Sequence, residues 1–151
     1  RFEFTGRDRF LDRFEEKVTQ AEVEHAVAAL NHCYGQVVTE FMVGVDIARR
    51  CHHWVLACSA EHLSAELVSE YLDTRLRDAN ADYATFRDQG RISAPLVQLV
   101  PQQTIYDWSR AVRGKLGGQS KIPHIDPTLT GELVQSLASF SRNSHQPFAS
   151  L

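Results

Sequence analysis

The stretch Gly114-Lys115-Leu116-Gly117-Gly118-Gln119-Ser120-Lys121-Ile122-Pro123-His124 gathers the residue types most able to handle an anion. Its glycines admit positive φ and close backbone approach. Gln119 and Ser120 can donate and accept hydrogen bonds, and the lysines can stabilise phosphate or carboxylate charge. This composition suits a mobile loop around an anionic ligand. An ordinary solvent loop is the simpler reading of the same composition, so both stand at this point. A nucleotide P-loop does not, because the Gly-Lys-Ser/Thr ending at its required spacing is absent.

Other polar residues carry weaker signals. His52 and His53 are adjacent, so on a strand their rings point to opposite faces instead of converging on one metal. His32 and Cys33 share that difficulty, and the expected metal site is none. Cys33, Cys51 and Cys58 are odd in number, so they cannot form a fully paired disulfide framework, and they read as reduced, partly buried thiols. Trp54 and Trp108 read as packing residues, and Arg49-Arg50 as a solvated face.

The elements that must position these groups follow from periodicity. Arg1 to Thr5 alternates Phe2 and Phe4 with polar neighbours and reads as a short edge strand, followed by a surface connection from Asp8 to Lys17 that contains a turn or short helix. Thr19 and Glu22 form a capping box, with Val23, Val27 and Leu30 on one helical face and Gly35 as the exit. Gln36 to Ile47 changes to a period of two, alternating from Val37 to Ile47, and reads as a strand. A polar segment, 48–53, separates it from a second strand, 54–59. A helix is expected over 64–79, ending at Asn80, and a strand over 96–100 between Pro95 and Pro101. Thr104 and Asp107 signal another helix start, with Ile105, Trp108 and Val112 inward, and a last helix is expected over 130–140. The fold class is α/β: a two-layer α/β sandwich with a central β-α-β-β-α-β unit, its helices on one side of the sheet, and additional C-terminal helices. Residues 1–141 form the single domain and 142–151 a flexible tail.

With 151 residues, 43% hydrophobic and 23% charged, the chain can bury one core. A formal net charge of -3 excludes a global positive field for nucleic acid, and the candidate strands lack a basic-aromatic pattern for RNA. No apolar run is long enough for a membrane span, and the charged start is no secretory signal, so a cytoplasmic location is expected. Arg1 in place of Met is expected of a fragment or a processed chain.

The stretch Leu116-Gly117-Gly118-Gln119-Ser120-Lys121-Ile122-Pro123 resembles the C-terminal domain of the Gretchen Hagen family of acyl-acid amido synthetases, adenylate-forming enzymes found in plants and bacteria. Glu16-Lys17-Val18-Thr19 before a helix, and Leu72-Asp73-Thr74-Arg75-Leu76-Arg77-Asp78-Ala79-Asn80-Ala81-Asp82-Tyr83, extend the likeness in order along most of the chain. The resemblance implies a bacterial member and a small mobile domain, inactive alone, that closes over a missing N-terminal adenylating domain supplied in cis or in trans. The reaction it implies activates a carboxylic acid with ATP and Mg2+, then passes the acyl group to an amine, such as that of an amino acid. No cofactor is expected to bind this domain alone. Lys121 is the catalytic residue implied, with Gln119 and Ser120 orienting the loop, Gly117 and Gly118 permitting closure and Pro123 restricting its far side. Lys17 is implied as a hinge or nucleotide-side residue. Glu15 stands where the resemblance favours glycine, and His124 where it favours Arg, so positive charge there depends on imidazole titration.

The rival reading is a non-catalytic protein-interaction or regulatory domain, which would use exposed apolar residues and have no need of Lys121.

Overall fold

Thr19 opens the first helix as the capping box requires. Its hydroxyl accepts from the Glu22 N–H at 3.1 Å, and its own N–H donates to Glu22 Oε1 at 3.0 Å. In the computed structural model, which describes residues 9–112 and 122–145, this helix is α1, Gln20–Tyr34. It stops at Gly35, whose φ of 88° only glycine adopts cheaply. The Asn31 side chain then accepts from the Val38 N–H and donates to the Val38 carbonyl, tying the helix end to the next strand. Ahead of α1, β1 (Phe10–Leu11), a strand inside the surface connection expected to hold a turn or short helix, pairs antiparallel with β2 (Val18–Thr19) just beyond it.

Strand β3 (Val38–Asp46) pairs antiparallel with β4 (Cys51–Cys58), and β4 pairs parallel with β5 (Leu96–Val100), in the order β3-β4-β5. The second strand starts three residues before the expected Trp54. Cys51, His52 and His53 continue the ladder because each is buried against a neighbouring layer instead of meeting solvent. Between β4 and β5 lie α2 (Ala65–Ala79), capped by Ser64, and α3 (Ala81–Asp88). Asn80 ends the first of these as expected, but its side chain also caps the second, a helix without its own periodic signal.

Helix α4 (Gln102–Ala111) begins directly after Pro101, two residues ahead of Thr104, which is buried inside it and caps nothing. Pro is well suited to that boundary because the first helical N–H groups have no intrahelical acceptor. Helix α5 (Glu132–His145) runs past Ser141, a buried residue, although the apolar periodicity fades there.

Alternation along the strands divides the core. Phe41, Val43, Val45, Trp54 and Leu56 join Val23, Val27, Leu30, Val68, Leu72, Leu76 and Tyr83 from α1, α2 and α3. Met42, Val55 and Ala57 point the other way, towards Ile105, Trp108, Val134 and Leu137 of α4 and α5. The β-α-β-β-α-β unit thus forms two layers, with α1, α2 and α3 on one side of the sheet, and the additional C-terminal helices cover the opposite face. This explains why β4 is buried almost continuously. The expected strand over residues 1–5, the glycine-rich break at 114–118 and the tail after 145 lie outside the described residues.

Candidate functional site

The turn that leads into α1 holds the first family-like segment in an unusual backbone. Glu15 has φ 70° and Lys17 φ 47°, both left-handed. Glycine would relieve Glu15, so the glycine that the resemblance favours there matches the geometry, and Glu15 holds it at some steric cost. Lys17 is exposed, with its N–H donating to Asp12 Oδ1 at 2.9 Å and its ammonium 5.5 Å from the Phe10 ring centroid.

Between them, Glu16 turns inward and is fully buried. One of its oxygens accepts from the Phe14 N–H at 2.8 Å, and the other lies 2.7 Å from His52 Nε2. The His52 ring stacks on Tyr83 at 5.5 Å between centroids. Tyr83 donates its hydroxyl to Asp73 Oδ1 at 2.6 Å, and Asp73 accepts two further bonds from Arg87 at 2.9 and 3.0 Å. Burial pushes the Asp73 carboxyl up, but the bonds from Arg87 and Tyr83 outweigh it and hold it below the usual carboxylate range. Burial, reinforced by the Asp73 carboxylate, pushes the Tyr83 phenol far up, so it remains a donor. A polar chain thus runs from the Lys17 turn through β4 into α2 and α3. His53 points to the other face, where burial lowers its pKa.

Asn80 completes the connection. Its Oδ1 accepts from the Tyr83 N–H, while its Nδ2 donates to the Lys17 carbonyl at 3.1 Å and to Glu22 Oε1 at 3.0 Å. One amide therefore joins the Glu16-Lys17 segment to the Leu72–Tyr83 segment.

His124, which directly follows the third segment, meets α1 two residues further on. His124 Nδ1 lies 2.7 Å from Glu24 Oε2, its Nε2 lies 3.4 Å from Glu40 Oε1, and its ring stacks on Phe41 at 4.1 Å. The bond to Glu40 raises the imidazole pKa, burial opposes it, and Glu24 adds to the rise. Burial pushes Glu24 up, but its bonds to His124 and Gln20 prevail and lower it. Two carboxylates therefore favour a cation at the position where the resemblance favours Arg.

The backbone around His124 is fixed to the edge of β3. The Val43 N–H donates to the His124 carbonyl and the Asp126 N–H to the Val43 carbonyl, both at 2.8 Å, a short parallel bridge. Asp126 is buried, accepts from the Val134 N–H at 2.9 Å and takes two bonds from Thr128. A side chain on Gly44 would strike Val134 and Asp126, and one on Gly131 would lie 2.1 Å from the Val45 carbonyl oxygen.

Of the residues expected to act, Lys17 and Pro123 fall among the described residues. Pro123 is half-buried beside His124. Gly117, Gly118, Gln119, Ser120 and Lys121 lie outside them. Sequence reasoning missed the inward turn of Glu16 and the double role of Asn80. The Glu-Lys pair itself gave no hint that one charge would be buried, whereas Asn80 between two helical stretches was a capping signal that could have been followed further. Among the described residues no group of three or more His, Cys, Asp or Glu side chains is arranged to hold a metal ion. No helix of the described residues is long and apolar enough to cross a membrane.

The GH3 family C-terminal domain model matches residues 19–128, which includes Lys121 and Pro123 and stops short of Lys17. Among solved structures, a GH3.15 acyl acid amido synthetase superposes with a TM-score of 0.59 at 13% sequence identity, covering 83% of this chain. The chain corresponds to 24% of that synthetase, about a quarter of its length. A search of curated proteins finds no match. The three segments joined through α1 and Asn80, the mixed α/β fold and the match over 19–128 together identify the chain as a member of the GH3 family, corresponding to its C-terminal domain.

Proposed function

We propose that this chain is the closing domain of an ATP-dependent acyl-acid amido synthetase, acting with an N-terminal adenylating domain in cis or in trans. The match over residues 19–128 carries this reading. In the reaction, a carboxylate oxygen attacks the α-phosphorus of ATP and pyrophosphate leaves. An amine, such as that of an amino acid, then attacks the acyl carbon, AMP leaves and the amine loses a proton. Lys121 is proposed to approach the carboxylate and the α-phosphate as negative charge redistributes, the kind of stabilisation a positioned cation gives in a closed site. Gln119 and Ser120 orient the loop, Gly117 and Gly118 admit its closure, and Pro123 limits its far end.

The described geometry supports this division of labour. The His124 clamp anchors the chain three residues after Lys121, and the Glu16–His52 pair and Asn80 set the backbone of Lys17, where a hinge would turn. Residues 1–141 act as one domain, with 142–151 as the tail, in a cytoplasmic protein. The test is ATP-dependent amide formation by the complete parent polypeptide, comparing wild type with Lys121→Ala over candidate acids and amines. Activity that collapses in a folded Lys121→Ala variant is the expected result. Unchanged half-reactions in that variant would remove Lys121 from the mechanism.

A further inference from the structure

Away from the His124 clamp, three arginines line one cavity. Arg13, Arg50 and Arg91 line an open cleft of about 270 Å³ together with Phe14, Glu15 and Ile47. From Phe41, against which His124 stacks, to Ile47 at the cleft, just past the end of β3, the chain advances six residues. At roughly 3.4 Å per residue this is a separation of about 20 Å.

The cleft is built from three pieces of chain held in place by specific bonds. Arg50 closes the turn between β3 and β4 with φ 57°, its N–H donating to the Ile47 carbonyl at 3.2 Å. Its carbonyl accepts from the Ser93 N–H at 2.8 Å, and its Nε donates to the Arg91 carbonyl at 3.2 Å. These bonds hold the turn against the loop after α3. The third wall is the strained turn at Glu15, described above.

The charges do not balance inside this wall. Glu15 is the one carboxylate in the lining, and its Oε1 lies 3.8 Å from Arg91 Nη2, too far for a hydrogen bond. Among the described residues Arg13 has no ion-pair partner, and Arg50 uses its Nε while its terminal nitrogens make no bond. Like charges gathered in a concavity repel one another unless an anion joins them, and guanidinium forks match phosphate oxygens with paired bonds. Arg50 lies over the Phe14 ring at 5.7 Å, and Ile47 is 36% exposed at the lip, so an apolar wall stands beside the cations.

We propose that this cleft is a binding site for a phosphate group, borne by a small ligand. Its volume of about 270 Å³ lies just under the roughly 300 to 1,000 Å³ of pockets that hold whole drug-sized ligands. The site stands independently of the Lys121 reading, and its ligand is either free inorganic phosphate or a phosphate ester with a small apolar body against Phe14 and Ile47.

The experiment titrates the 151-residue chain with inorganic phosphate, phenyl phosphate and acetate at about 0.15 M salt, where diffuse surface attraction is screened. Binding is read by calorimetry and by the Arg Nε–Hε resonances. Both phosphates are expected to bind saturably and to shift Arg50 and Arg91, and a tighter response to phenyl phosphate identifies the ester as the ligand. Arg50→Gln is expected to weaken binding roughly tenfold or more, as for the loss of a charge-assisted bond. Arg13→Gln, which breaks no bond among the described residues, is expected to weaken it without altering the amide spectrum elsewhere. Glu15→Gln is expected to tighten it about twofold or more by removing the opposing charge. Absence of saturation, a response to acetate equal to that for phosphate, or affinity unchanged in both arginine variants overturns the assignment.

Discussion

The side-chain amide of Asn80 donates to the carbonyl oxygen of Lys17, 63 residues away in sequence, at 3.1 Å. The same amide caps α3 through the Tyr83 N–H and reaches Glu22 of the α1 capping box. Three backbone boundaries therefore depend on one residue. Asn80→Ala removes the cap and leaves the Lys17 carbonyl without this donor, and it is expected to destabilise the fold by about 1–2 kcal/mol in urea denaturation. A loss smaller than a few tenths would mean that water replaces the amide at no cost.

The Glu16–His52 pair should respond differently to single and paired substitution. Both side chains are fully buried, so removing one leaves the other without its partner in the core. Glu16→Ala or His52→Ala is expected to cost about 3–5 kcal/mol, while replacing both by leucine should recover most of that loss. Chemical denaturation of the three variants measures the difference, and equal losses in single and double variants would contradict it.

The His124 clamp predicts the sign of a pH dependence. Its folded-state pKa lies above the ordinary 6.5, so its contribution is fully present below that pH and fades as pH rises through the higher folded value. Melting temperature should accordingly fall on the alkaline side of 6.5 in wild type, and this part of the decline should vanish in His124→Gln. Asp73 acts in the opposite sense, because its lowered pKa gives stability that is lost only as pH falls through that lowered value. A melting profile with the same alkaline slope in both proteins would count against the clamp.

At Gly131 the constraint is steric. Its φ is 73°, and a Cβ there would sit against the Val45 carbonyl oxygen. Gly131→Ala must move either β3 or the start of α5, at a cost of about 3 kcal/mol, the upper end of overpacking effects. Gly90, also at positive φ but with open space around it, is the control. Its substitution by alanine is expected to cost about 1 kcal/mol, reflecting backbone conformation alone. Thermal melts of the two variants give the comparison, and equal shifts would remove the steric account of Gly131.

The sequence showed what depends on local chemistry and hid what depends on tertiary partners. The Thr19–Glu22 box, the Ser64 start, the alternation of β3 and the proline-framed β5 all follow from neighbours in the chain. His52 and His53 looked like the polar gap between strands because their burial needs Glu16 and Tyr83 on one side and the α5 layer on the other. Helix α4 starts early because Pro101 sets its boundary, overriding the Thr104 signal. The candidate site was legible as segments carrying a family likeness. Their joining through α1 was not, since Glu24, Glu40 and Phe41 become partners of His124 only once β3 lies beside the helix.

The short bridge between Val43 and Ile125 also bears on self-association. A sheet rim with free backbone groups is a template on which another chain can add a strand. At one rim, the His124 segment takes the outward N–H and carbonyl of Val43 in the middle of the longest strand. At the other, β5 is five residues long between Pro95 and Pro101, and proline offers no N–H for ladder extension. Both rims thus resist edge-to-edge growth, one through the bridge of the His124–Asp126 segment and the other through its flanking prolines.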